Sequence, residues 1–74
     1  MKFTAKMVAR IDGQTIAVNT SDNRSFIGKV LEVDENNILL SVAGTVGNTV
    51  GILNKDRITY VECNVVTALT ILEQ

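Results

Sequence analysis

The 74-residue chain has no proline, no histidine and no tryptophan, one cysteine (Cys63), and only three aromatic side chains, Phe3, Phe26 and Tyr60. Each shortage narrows the possibilities. Without proline, no strand is confined to a sheet edge by a missing backbone donor. One cysteine rules out an internal disulfide, and without histidine there is no ligand set for zinc, so no metal is expected. No serine or cysteine has a recognisable base partner, and Gly44-Thr45-Val46-Gly47 lacks the lysine of a phosphate-cradling loop. The chain is therefore expected to be no enzyme and to use no cofactor. No run of about 18 apolar residues is present, so no membrane span is expected. The start of the chain shows no long apolar leader, and a lone cysteine fits a reducing, cytoplasmic setting. Seven basic against eight acidic residues give a net charge of −1, so global charge does not attract a polyanion.

What the chain has in quantity is β-branched residues: valine, isoleucine and threonine make up 25 of the 74. Such side chains suit a pleated surface, and the fold is expected to be mostly β. The length indicates one domain, residues 1–74. A domain of this size buries only roughly 60% of its unfolded surface. With disulfides and metals excluded, self-association is the remaining way to add stability.

Phe3, Met7, Val8 and Ile11 fall at helical spacing, Thr4 can cap, and Asp12-Gly13 ends the pattern, which predicts a short N-terminal helix. Gln14 to Thr20 alternates, with Ile16 and Val18 on one face. Ser21-Asp22-Asn23 is a turn, and Asn23 tolerates the left-handed conformation a tight hairpin needs. Arg24 to Val33 forms the second strand. Its alternation changes phase after Gly28, at Leu31 and Val33, as a strongly bent strand would. Asp34-Glu35-Asn36-Asn37 turns the chain into a third strand, Ile38 to Val42. Ala43 to Thr49 reads as a variable loop. A fourth strand begins at Val50 to Leu53, passes a polar tip at Asn54-Lys55-Asp56 and continues from Arg57 to Glu62. Cys63-Asn64 is a corner, and Val65 to Leu72 is the fifth strand. That last strand is apolar on both faces. Such an edge is rarely left open, and pairing with the edge of a neighbouring copy would close a ring.

From about residue 7 to residue 71 these segments resemble the Sm and Sm-like family. Gly13 to Val18 looks like its first strand. Asp22 to Val30 is similar to its hairpin into a second strand that holds a bend glycine, here Gly28. Val33-Asp34 and Asn37-Ile38-Leu39-Leu40 match the end of the second strand and the start of the third. Ile52 to Val61 is similar to the second Sm segment. The resemblance implies a short helix followed by a five-stranded, strongly bent antiparallel sheet forming a small open barrel of SH3-like shape, assembled into a ring by pairing of the fourth and fifth strands of neighbours. It also implies single-stranded RNA as a partner near the central pore, bound through Asn36, Asn37, Asn54 and Lys55, with Asp34 and Gly28 supporting the site.

The sequence departs from the family at that site. The position two after the aspartate, usually His, Tyr or Phe, is Asn36, which offers no large face for a base to stack on. Asn37 comes three residues after Asp34 where the family has four, and Asn54-Lys55 replaces an Arg-Gly pair. Asn37 and Asn54 could hydrogen-bond base edges and Lys55 a phosphate. The departures equally suit a structural ring that keeps the Sm fold but binds a protein on one face. Tyr60 matches a structural position in the family pattern. A different small barrel, SH3-like or OB-like, is the more distant alternative.

Overall fold

The computed structural model describes residues 1–42, 45–46, 53–54 and 57–72. The helix forms where the apolar spacing places it. Helix α1 spans Ala5–Ile11, and its N-cap is Thr4, whose hydroxyl accepts the Met7 N–H. The helix stops at Asp12, and Gly13 follows with φ +75°, a conformation that costs glycine little. Phe3 and Ile11 are buried, and Met7 and Val8 pack against them, so the apolar stripe faces the core.

Strand β1, Thr15–Thr20, pairs antiparallel with β2, Ser25–Val33, through a turn in which Asn23 takes φ +64°. The Thr20 hydroxyl donates to the Asp22 carboxylate, and the Asn23 N–H donates to the Thr20 carbonyl at 3.0 Å. Strand β2 then pairs with β3, Asn37–Val42. The register of that pair slips between Val30 and Glu32, leaving Leu31 as the extra residue of a bulge. This is the phase change expected after Gly28. A Cβ on Gly28 would lie 2.5 Å from the Ser41 carbonyl oxygen, so the neighbouring strand leaves no room for a side chain there.

Thr45–Val46 (β4) and Leu53–Asn54 (β5) form a separate two-stranded ladder, and β6, Arg57–Glu62, returns to the main sheet beside β3. The fourth strand expected from the sequence is thus divided. Leu53 pairs with Val46, whereas Arg57 pairs with Val42. The remainder of the expected Ala43–Thr49 loop, the strand start at Val50 and the tip residues Lys55 and Asp56 lie outside the described residues. A 3-10 turn at Cys63–Val65 leads into β7, Val66–Leu72, which pairs with β1.

The main sheet has the order β6-β3-β2-β1-β7, and it is not closed. Its two edges are consecutive in the chain. In a flat sheet, four inter-strand spacings would hold those edges about 19 Å apart. The links from Glu62 to Val66 reach at most roughly 14 Å. The sheet must therefore curl strongly, and its concave side encloses one core of Phe3, Ile11, Ile16, Val18, Val30, Ile38, Leu40, Val42, Val61, Cys63 and Val66. Among the described residues, no helix is long and apolar enough to cross a membrane.

Candidate functional site

The turn between β2 and β3 is built on Asp34. One carboxylate oxygen, Oδ1, accepts the backbone N–H groups of Asn36 and Asn37, each at 2.7 Å. The Asp34 N–H in turn donates to the Asn37 carbonyl at 3.0 Å. An aspartate that receives the donors two and three residues ahead fixes its own turn. The carboxylate thereby holds the backbone of both asparagines in place. The Asn36 N–H, then the Asn37 N–H, holds the Asp34 carboxyl below its ordinary value of 3.8.

This linkage has a definite sign. A carboxyl whose pKa is lower in the folded than in the unfolded chain stabilises the fold above the unfolded value, and that contribution is lost as pH falls through the folded one. Asp22, whose pKa the Thr20 hydroxyl lowers, acts in the same direction. The urea midpoint is therefore expected to be lower at about pH 3 than at about pH 6. Asp34→Asn should flatten part of that dependence and leave the part due to Asp22. An unchanged pH profile in Asp34→Asn would show that the turn does not depend on the ionised carboxylate.

The turn is tied to the corner that joins the sheet edges. The Cys63 N–H donates to the Asn36 carbonyl at 2.8 Å, and the Cys63 thiol contacts the Asp34 carbonyl at 3.6 Å. Burial, and then the nearby Asp34 carboxylate, pushes the thiol pKa up, so Cys63 is a packing group with little thiolate character. The Met1 nitrogen donates to the Val66 carbonyl at 2.8 Å and to the Cys63 carbonyl at 3.2 Å, which holds the start of the chain against the same corner.

Between turn and corner lies a groove of about 420 Å³, lined by Met1, Lys2, Glu35, Asn36, Asn37, Glu62, Cys63 and Asn64. Three asparagines, Asn36, Asn37 and Asn64, therefore line it. Asn36 and Asn37 are exposed, and among the described residues neither side-chain amide has a hydrogen-bond partner. Of the candidates read from the sequence, the structure brings together Asn36, Asn37 and Asp34. Gly28 lies along β2, where it allows the close strand approach. The backbone of Asn54 belongs to the separate β4–β5 ladder, paired with Thr45. Lys55 lies outside the described residues. Asn64 was not among the candidates, because a Cys-Asn corner carries no local sign of the turn it will face. Tyr60 is 76% exposed on the outer face of β6, so it is not a core residue of the single chain.

No protein-family model matches the chain, and no curated protein and no solved structure matches it at a significant level. Among the described residues, no group of three or more cysteine or acidic side chains is placed to hold a metal ion.

Proposed function

We propose that this chain is the subunit of an Sm-like ring that binds single-stranded RNA, with base edges met by the amides of Asn36, Asn37 and Asn64. The observation that carries the reading is one groove lined by three asparagines, beside a turn whose backbone is already locked by Asp34. An amide offers both a donor and an acceptor to a base edge, and the fixed backbone of the turn limits how far the two asparagines must be ordered on binding. In this reading the curled sheet acts as a small open barrel, and copies join by pairing β6 of one to β7 of the next. That pairing would satisfy the open backbone groups along both edges. Ile58, 64% exposed on β6, and Leu72, 37% exposed on β7, are apolar groups such a contact would cover. Lys55 would serve phosphate. The ring works as a binding module in the cytoplasm, without catalysis or cofactor.

Lys2 is the one basic side chain lining the groove among the described residues, and no aromatic side chain lines it. Stacking worth about 1–3 kcal/mol per base is thus absent, and few counterions are released. Fluorescence anisotropy with labelled oligouridylate and oligoadenylate at low salt should show weak binding with a shallow salt slope. Asn37→Ala combined with Asn64→Ala should weaken it about tenfold, while native mass spectrometry shows the same assembly. A monomer at micromolar concentration would remove the ring from the proposal. An absence of RNA binding at low salt would remove the ligand.

A second reading, a ring that binds protein, is favoured by one observation. Carboxylates crowd the neighbourhood of the turn: Glu35 and Glu62 line the amide groove, and Asp12, Glu32 and Asp34 line its neighbour.

A further inference from the structure

On the other side of the Asp34–Asn37 turn lies a second groove, of about 410 Å³. Its apolar part is Leu31, Val33 and Leu39, and its charged part is Asp12, Glu32 and Asp34. The bulge creates this surface. Leu31 is the residue without a partner on β3, and the slip of register leaves it 43% exposed in the same groove as the half-buried Leu39. A bulge re-aims a side chain, and here it brings a leucine out beside another. Leu39 is in turn paired across the sheet with Tyr60, 76% exposed, so apolar surface continues from the bulge to the β6 edge. Contiguous apolar surface with a charged rim marks a place where another molecule sits.

Charge selects the occupant. Three carboxylates line the groove and no lysine or arginine does, among the described residues. Like charges gathered in a cleft focus a negative potential, which repels phosphate and attracts cationic side chains. The same three carboxylates are not grouped closely enough to hold a metal ion. We propose that this groove docks a basic segment of a partner protein, an extended peptide in which lysine or arginine alternates with a large apolar side chain. The apolar residue settles on Leu31 and Leu39, and the flanking cations face Asp12, Glu32 and Asp34. This docking surface shares Asn37 with the amide groove, but its apolar and charged residues are its own, and it does not require RNA binding.

The test uses the full chain and a fluorescein-labelled ten-residue peptide of alternating lysine and leucine, with an alternating glutamate and leucine peptide as counterpart. The basic peptide should bind in about 50 mM salt and weaken as salt rises, and the acidic peptide should not bind. Asp12→Lys combined with Glu32→Lys should weaken the basic peptide at least tenfold. Glu35→Lys combined with Glu62→Lys makes the same change of charge outside the groove and should weaken it no more than twofold. Leu31→Ser, an exposed change that preserves charge, should weaken it several-fold. Equal losses from the two charge reversals would show diffuse attraction and overturn the proposal, as would an unchanged affinity in Leu31→Ser.

Discussion

Gly28→Ala is expected to lower the thermal unfolding midpoint by roughly 10–20 °C. In an open strand the same change would be nearly neutral or mildly favourable, since alanine loses less backbone freedom on folding. Here the added Cβ would stand 2.5 Å from the Ser41 carbonyl oxygen, 3.0 Å from the Ser41 carbonyl carbon and 3.3 Å from the Val42 Cα. All three are backbone atoms of the adjacent strand, so no side chain can swing away to make room. Forcing an extra carbon into such a site typically costs about 1–3 kcal/mol, and the upper half of that range applies where only backbone can move. In a domain this small each kcal/mol moves the midpoint by about 4–8 °C. Gly13→Ala is the comparison. Nothing lies within 4 Å of its Cβ position, and its strain comes only from φ +75°, worth about 1–2 kcal/mol. Thermal melts followed by circular dichroism should rank Gly28→Ala as the more damaging of the two. The reverse order would show that β2 and β3 do not approach as closely as described.

Phe3→Ala should be more damaging still, with an expected loss of about 3–5 kcal/mol. Phe3 is 1% exposed and lies ahead of α1, in a segment without regular structure of its own. It is nonetheless part of the single core, together with Ile11, Ile16 and Val66. The size of the loss depends on how far the surroundings can collapse into the vacated space. Collapse is restricted here. The Met1 nitrogen is bonded to carbonyls of the corner on one side, and the Thr4 cap fixes α1 on the other. A marginal domain holds only about 5 kcal/mol in total, so Phe3→Ala should be largely unfolded at 37 °C. Phe3→Leu, which refills most of the volume, should lose no more than about 1.5 kcal/mol. Urea titration monitored by circular dichroism measures both. A loss below 1 kcal/mol for Phe3→Ala would mean that the N-terminal segment is an appendage and not part of the core.

Much of the fold could be read from the residues, because local patterns determine local structure. Thr4 and the spacing of Phe3, Met7, Val8 and Ile11 specified the helix to within its cap. The alternation around Ile16 and Val18, the left-handed turn at Asn23, the change of phase at Leu31 and the corner after Glu62 all appear where the sequence put them. Pairing partners were harder. Leu53 and Ile58 look like parts of one apolar strand, yet Leu53 joins the β4–β5 ladder and Ile58 pairs with Ser41. An apolar alternation records which face is buried and not which neighbour lies alongside. The same limit hid part of the candidate site. Asn36 and Asn37 sit in a turn with an aspartate, a pattern visible over four residues. Asn64 joins them because Glu62 pairs with Asn37 and the Cys63 N–H reaches the Asn36 carbonyl, contacts made by backbone atoms that every residue possesses. The exposure of Leu31 was half legible: the change of phase was plain, but which residue the bulge would turn outward depended on the register with β3.

The three-residue crossing at Cys63–Val65 constrains how this chain can vary over evolutionary time. Its Cys63 amide is held by one hairpin turn through Asn36, and its Val65 carbonyl accepts the Ser21 N–H of the other at 2.8 Å. Both attachments are length-specific. A single inserted codon there would shift β7 by one position against β1 and turn Leu69 and Ile71 from the half-buried side to the solvent side. Descendants should therefore accept changes of side chain at the crossing far more readily than any change in its length.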